Sequence, residues 1–222
     1  MLTRFIFPVV FYVFVVILFL ASQFEALNRR TLRKAEHFKH FKEWLMHCES
    51  MGGLSRQEVV SMIPPLALDV HPGHLVLDMC AAPGSKTTQI MEKMNNDGVV
   101  IGNDLEWKRA NTLAHRSKRS CSTCALITNF DATFFPWLSG STFQGFDRIL
   151  CDVPCSSDGT IRKNPGIWKT WSMQNGMEIH SRQLKILQHG MKLLKRNGLL
   201  VYSTCSLNPL ENEAVIATAL YR

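Results

Sequence analysis

Leu77-Asp78-Met79-Cys80-Ala81-Ala82-Pro83-Gly84-Ser85-Lys86-Thr87 is the stretch on which the reading of this chain turns. Leu75-Val76-Leu77 leads into it as a short apolar run of the kind buried in a parallel sheet. Beyond it, Ser85 is placed to cap a helix that continues through Thr87-Thr88-Gln89-Ile90-Met91. Small residues at 81, 82 and 84 let the backbone approach a bound group, and the helix start offers N–H groups with no intrahelical partner. The stretch thus predicts the carboxyl end of the first strand of a doubly wound α/β sheet, where such folds bind cofactors. A phosphate-binding loop would need an earlier glycine, and the GxGxxG fingerprint is absent. The pattern suits a nucleoside whose tail is an amino acid, with no pyrophosphate to cradle: an S-adenosylmethionine site.

Working downstream, Gly98-Val99-Val100-Ile101-Gly102-Asn103 predicts the second strand, ending at Asp104. A carboxylate there can accept both hydroxyls of a ribose; the plainer alternative is that Asp104 caps the helix predicted over Glu106 to Lys118. Cys124 to Thr128 reads as the third strand, and Asp131 beyond it can accept the amino group of an adenine or simply cap its loop. Cys121 and Cys124 have zinc-type spacing without a second pair of ligands, so no metal site is assigned. Phe146 to Asp152 predicts the fourth strand, delivering Asp152-Val153-Pro154-Cys155 to the same crevice. Arg162, Lys163 and Lys169 then alternate with Trp168 and Trp171, a mixture suited to backbone phosphates and unstacked bases. A long helix from about Gln174 to Lys195 is predicted to stop at Asn197-Gly198. Leu199 to Ser203 is the fifth strand and carries Thr204-Cys205-Ser206, and a last helix runs from Pro209 to Leu220.

Two cysteines at the tips of neighbouring strands, one beside an acid, point to chemistry. Carbon 5 of cytosine is too electron-poor to take a methyl group from a sulfonium directly. A thiolate added at carbon 6 breaks the aromaticity and makes carbon 5 an enamine-like nucleophile. Cysteine suits that addition because its thiolate is intrinsically very nucleophilic. A carboxyl group fits the role of hydrogen-bond partner at N3, and a second group near carbon 5 can assist loss of the proton and expulsion of the sulfur. The residues alone do not say which cysteine attacks.

Upstream, Phe5 to Ala21 is almost unbroken Phe, Val, Ile and Leu, and residues 1–26 are read as a membrane anchor or an artefact of gene assignment. As an anchor, with Arg29, Arg30, Arg33 and Lys34 after it, it would leave the rest of the chain on the cytoplasmic side. Residues 27–73 form a basic helical lead-in. Its first helix is expected over 27–48, packing Phe38, Phe41, Trp44 and Leu45 on the domain while its basic face meets phosphates. A second helix is expected to start at Ser55, with a capping box to Glu58, and to end at Pro64-Pro65. The net charge of +7 favours an anionic partner such as nucleic acid. The 7 cysteines sit in strand-end contexts, not at disulfide-framework spacings, which implies a reducing compartment.

DMCAAPGSKT, DVPCSSDGT and STCSLNPLENEAV, in that order, resemble the Sun-domain (Nop/Sun, Fmu-type) RNA cytosine-5 methyltransferases. SRQEVVSMIPPLAL and LNRRTLRK are most similar to the eukaryotic tRNA-methylating member, and the resemblance runs from Leu27 to Arg222. It implies a Rossmann-like class I S-adenosylmethionine-dependent methyltransferase sheet over residues 74–222. It implies that Cys80, Ala81, Ala82, Pro83, Gly84, Ser85, Lys86, Asp104, Asp131 and Asp152 bind or adjoin S-adenosylmethionine. It also implies Cys205 as nucleophile, Cys155 as helper in product release and Asp152 beside the cytosine. A monomer acting on tRNA, in the nucleus or nucleolus, follows from the same resemblance. DNA cytosine methyltransferases use the cysteine of the fourth-strand Pro-Cys motif instead, so Cys155 and Cys205 are to be told apart by experiment. Ser157 stands where the family has glycine. The family's sheet has more strands than fit before Arg222, which implies a sheet truncated after its fifth strand, with an open apolar edge prone to aggregation. Two further readings stand beside this one: an inactive fragment that binds cofactor or RNA, and a small-molecule methyltransferase of the same sheet type.

Overall fold

A computed structural model describes residues 36–53, 55, 57–120, 122–140 and 143–221. The hydrophobic segment 1–26 and the arginines at 29, 30 and 33 lie outside the described residues, as does Cys121. Among the described residues, no helix is long and apolar enough to cross a membrane.

Five strands form one parallel sheet in the order β3-β2-β1-β4-β5: β1 Leu75–Asp78, β2 Val99–Asn103, β3 Ala125–Thr128, β4 Phe146–Asp152 and β5 Leu194–Ser203. The order reverses between β1 and β4, which opens a crevice at their carboxyl ends. Register explains why the strands read as continuous apolar runs. Val76 lies beside Val100, and together with Leu150 they face Leu68, Ile90, Met91 and Met94 on one side of the sheet. Leu77 lies beside Ile101 and Ile149 and faces Phe135, Phe146, Ile186 and Leu193 on the other. Both faces are buried, so neither alternate position can be polar. Each such side chain taken from water contributes roughly 1.5–3 kcal/mol.

Helices α1 Lys39–Ser50, α2 Ile63–Ala67, α3 Ser85–Met94, α4 Trp107–Arg119, α5 Ile167–Thr170, α6 Met173–Leu193 and α7 Glu213–Tyr221 surround the sheet. Several depart from the sequence-based expectation. None of the residues of α1 is buried, and Phe41 and Trp44 stack on each other in the open, so its aromatic face is not packed on the domain as expected. The helix expected from Ser55 starts only at Val59, as a 3-10 turn, and Glu58 makes no side-chain cap. Pro64 and Pro65 do not end it. They open α2, where the first N–H groups have no helical partner to lose. Residue 85 is the first residue of α3, and the cap is Gly84, at φ 100°. Helix α6 stops at Leu193, two residues early, because Leu194 already pairs with Phe146. Arg148 then pairs with Leu199, so Asn197-Gly198 is an irregularity within β5, with Asn197 at φ 66°, and not the end of a helix.

Candidate active site

Three loops meet at the carboxyl ends of β1, β4 and β5. After β1, Asp78, Cys80, Ala81, Ala82, Pro83, Ser85 and Lys86 line a cleft of about 260 Å³, completed by Gln57, Glu58, Ser61, Asp152 and Lys163. Asp78 is 1% exposed. Its Oδ2 accepts from Thr87 Oγ1 at 2.8 Å, while Oδ1 has no partner among the described residues. Burial raises its pKa from 3.8 to about 7, against the Thr87 hydrogen bond. Burial also pushes the Cys80 thiol far up, with the carboxylates of Asp78, Asp104 and Asp152 acting in the same direction. Gly84 serves packing: a Cβ there would stand 2.7 Å from Leu113 Cδ1, and Leu113 also packs on Ala81 and Ala82.

Asp152, at the tip of β4, is held from both sides. Lys86 Nζ donates to its Oδ2 at 2.7 Å, and Ser203 Oγ donates to Oδ1 at 2.7 Å. This pair joins the β1 loop to β4 and β5.

Asp104 and Asp131 are not among the residues lining that cleft. Asp104 is buried; its Oδ2 accepts the Ala82 N–H at 3.2 Å, its Oδ1 the Glu106 N–H at 3.1 Å, and Arg109 lies 3.4 Å away. It therefore both caps the approach to α4 and fixes the β1 loop. Asp131 caps a short 3-10 turn, accepting the Thr133 N–H at 2.9 Å and lying 3.3 Å from Arg182. The Thr133 N–H bond leads the effects that hold its carboxyl below the usual range.

The two cysteines come together. Cys155 Sγ and Cys205 Sγ are 3.2 Å apart and both thiols are free. The Cys205 N–H points at Cys155 Sγ at 3.3 Å, and Cys205 Sγ is 3.3 Å from Ser157 Oγ. A hydrogen bond from the Cys155 thiol lowers the Cys205 pKa to about 6, against the effect of burial, with the Ser157 hydroxyl and the Lys86 cation helping. The same hydrogen bond between the two sulfurs raises Cys155. The two shifts oppose each other, and the more exposed sulfur, Cys205, is the one on which the negative charge is favoured. Ser157 has φ 60° and ψ 19°, left-handed values that explain why glycine is favoured there; serine fills the position and turns its hydroxyl to the sulfur.

A family model described as 16S rRNA methyltransferase RsmB/F matches residues 65–222. The chain belongs to the RsmB/F family. Within and around that family, it is 50% identical over 204 residues to the multisite-specific tRNA:(cytosine-C(5))-methyltransferase of Saccharomyces cerevisiae, matching 86% of this chain and 30% of the relative. It is 47% identical to the tRNA (cytosine(34)-C(5))-methyltransferase of Drosophila melanogaster, over 86% of this chain and 27% of that protein. The chain thus spans about a third or less of the length of these relatives. Among solved structures, NSun6 from Pyrococcus horikoshii with SFG is similar at TM-score 0.71 and 29% identity, covering 78% of this chain and 44% of that one. A SAM-dependent O-methyltransferase from Thermotoga maritima, 14% identical with TM-score 0.51, shares the fold alone. The RsmB/F family is one of S-adenosylmethionine-dependent RNA cytosine-5 methyltransferases, and the class I methyltransferase sheet expected from the sequence is the one observed.

Sequence reasoning passed over Asp78 as a site residue, although an acid at a buried strand's carboxyl end was in plain view. It also missed Gln57, Glu58 and Ser61, which reach the cleft from the lead-in and carry no local signal of doing so.

Proposed function

We propose that this chain carries the catalytic core of an S-adenosylmethionine-dependent RNA cytosine-5 methyltransferase acting on tRNA, through a covalent bond between Cys205 and carbon 6 of the cytosine. The observation that carries this reading is the pair of free sulfurs 3.2 Å apart at the tips of β4 and β5. A small-molecule methyltransferase on the same sheet has no need of such a pair.

S-adenosylmethionine fits the cleft beside Asp78 to Lys86. The unpartnered Asp78 Oδ1 is a buried acceptor suited to the ammonium group of the cofactor's amino-acid end, and Ala81 and Ala82 leave room for it. When bound there, the cofactor supplies an electrophilic methyl group. The protein's own part falls to few residues. The Cys205 thiolate adds to carbon 6 of the cytosine, and the electron pair displaced from the ring moves toward N3. Asp152 is the hydrogen-bond partner on that side of the ring, with Lys86 and Ser203 fixing its carboxyl group. After carbon 5 is methylated, its proton leaves to a base, the ring double bond re-forms and Cys205 is expelled; Cys155 assists this last stage. Arg162 and Lys169 hold the RNA backbone without reading its sequence, whereas Lys163 is paired with Glu58 in the cofactor cleft. The tRNA substrate rests on the named relatives, and a nuclear or nucleolar monomer on the family resemblance.

The test is a denaturing gel of the Cys155→Ala protein with bulk tRNA and S-adenosylmethionine. A slow-migrating RNA–protein adduct is expected, and it should vanish in the Cys155→Ala/Cys205→Ala double variant. An adduct that forms through Cys155 in the Cys205→Ala protein would reverse the two roles. No adduct despite intact cofactor binding would overturn the tRNA reading.

A further inference from the structure

Glu211, at the approach to α7, is a buried carboxylate used by nothing described so far; it is 0% exposed. Its hydrogen bonds converge from both cysteine loops. Ser156, the residue after Cys155, donates its N–H to Oε2 at 2.8 Å and its hydroxyl to Oε1 at 2.5 Å. Ser206, the residue after Cys205, donates its hydroxyl to the same Oε1 at 2.9 Å. Gln183 of α6 donates to Oε2 at 3.2 Å and also to the Pro154 carbonyl at 3.0 Å. Asn208 Nδ2 approaches Oε1 at 3.4 Å, and Tyr202 of β5 donates to the Glu211 carbonyl at 2.6 Å. In every side-chain contact Glu211 accepts, and among the described residues it forms no ion pair.

We propose that Glu211 is a positioning residue that sets the separation of the Cys155 and Cys205 sulfurs by clamping the residue that follows each of them. A carboxylate offers acceptor sites on both oxygens and so can take all these donors at once. A buried carboxylate without a cation is costly unless its oxygens are saturated, so the clamp holds only with both loops in place. On the solvent side the Gly159 N–H bonds the Cys205 carbonyl at 3.0 Å, and the Leu207 N–H bonds Asp158 at 2.8 Å. These join the loops without touching the residues next to the sulfurs on their buried side. Helix α6 seals that side, where a Cβ on Gly176 would lie 2.5 Å from Asn208 Nδ2. The consequence for turnover rests on the function proposed above; the geometry of the thiol pair does not.

The experiment compares the full chain with Glu211→Ala, Glu211→Gln and, as a surface control at the start of α7, Glu213→Ala. Diamide takes the two thiol hydrogens onto its nitrogen–nitrogen double bond and leaves a Cys155–Cys205 disulfide, whose rate of closure is followed by peptide mapping. Methyl transfer to tRNA gives kcat and KM separately, and a melting curve reports folding. Glu211→Ala should slow closure and kcat by about tenfold or more, with KM for cofactor and tRNA within about twofold. Glu211→Gln should recover most of both, because its amide oxygen can take the Ser156 and Gln183 donors while its NH₂ faces serine hydroxyls that can accept. If Glu211→Ala does not fold, Ser156→Ala/Ser206→Ala removes two of the donors and should slow closure several-fold. Closure at the wild-type rate in the folded variants overturns the proposal, whatever the melting temperature does. Slowed closure in a protein that never methylates RNA would leave the clamp standing and remove the function.

Discussion

The tip of β1 and the tips of β4 and β5 each present an acid and a cysteine to the same crevice, and the surroundings drive them in opposite directions. At β1, Asp78 is buried and Cys80 half-buried, the carboxyl pKa rises to about 7 and the thiol is pushed far up. At β4 and β5, Cys205 is exposed, receives a hydrogen bond from a second thiol and falls to about 6. The proposed nucleophile is the cysteine whose charge has donors and water, whereas desolvation and three neighbouring carboxylates disfavour a thiolate at Cys80.

The largest effect expected from this contrast is on chemistry. Cys205→Ala should abolish methyl transfer, a loss of at least about a thousandfold, while leaving cofactor binding intact; radiolabel transfer to tRNA and equilibrium cofactor binding measure the two. Transfer that survives in Cys205→Ala would place the nucleophile elsewhere and break the comparison at its reactive end.

Next in size is selective alkylation. With limiting iodoacetamide near pH 7, Cys205 should be labelled at least about a hundredfold faster than Cys80, because the thiolate is the reactive form. Its labelling rate should climb through a midpoint at about 6, whereas Cys80 stays unlabelled across the same range. Peptide mapping reads both. Equal labelling would mean that the two tips are not chemically distinct.

Asp78 sharpens the buried end. Its folded pKa, about 7, lies above the unfolded value of 3.8, so the folded protein keeps this proton to higher pH. The stability it contributes is present in full at low pH and is lost as pH rises through that window, by on the order of a few kcal/mol. Asp78→Asn should therefore flatten the pH dependence, gaining about 5 °C in melting temperature relative to wild type between about pH 4 and pH 7. Parallel profiles for the two proteins would show that Asp78 is not held neutral by burial. Cofactor affinity should fall in the same variant, since the acceptor for the ammonium group has been changed.

Much of this was legible beforehand, and the misses share a cause. The runs at 75–78, 99–103 and 146–152 announce buried parallel strands because both faces are covered, and each strand delivers its polar residue at the carboxyl end. Pro64-Pro65 misled because proline ends a helix in its interior and opens one in its first turn, and which applies depends on where Val59 to Met62 begin to coil. Asn197-Gly198 carried a turn signal, but pairing of Leu194 with Phe146 across the sheet converted it to a bulge. Glu211 was the hardest to foresee. Its partners Ser156, Gln183 and Ser206 lie on three separate elements, and no spacing in the chain announces that they meet.

Ser157 yields the smallest expected effect and the finest test of the exposed tip. A side chain at φ 60° costs roughly 1–2 kcal/mol, so Ser157→Gly relieves strain, offset in part by the ~0.5–1 kcal/mol of extra backbone freedom that glycine loses on folding. The variant should be as stable as wild type or more so by up to about 1 kcal/mol. The same change removes the hydroxyl 3.3 Å from Cys205 Sγ, one of the groups that favour the thiolate. The Cys205 alkylation midpoint should then move upward from about 6, by less than about one pH unit. Stability and thiolate character would thus change in opposite directions, which loosening of the loop could not produce, since loosening lowers stability. A glycine variant with an unmoved midpoint would assign the low pKa of Cys205 to Cys155 and Lys86 alone, leaving Ser157 a serine that merely tolerates a glycine's conformation.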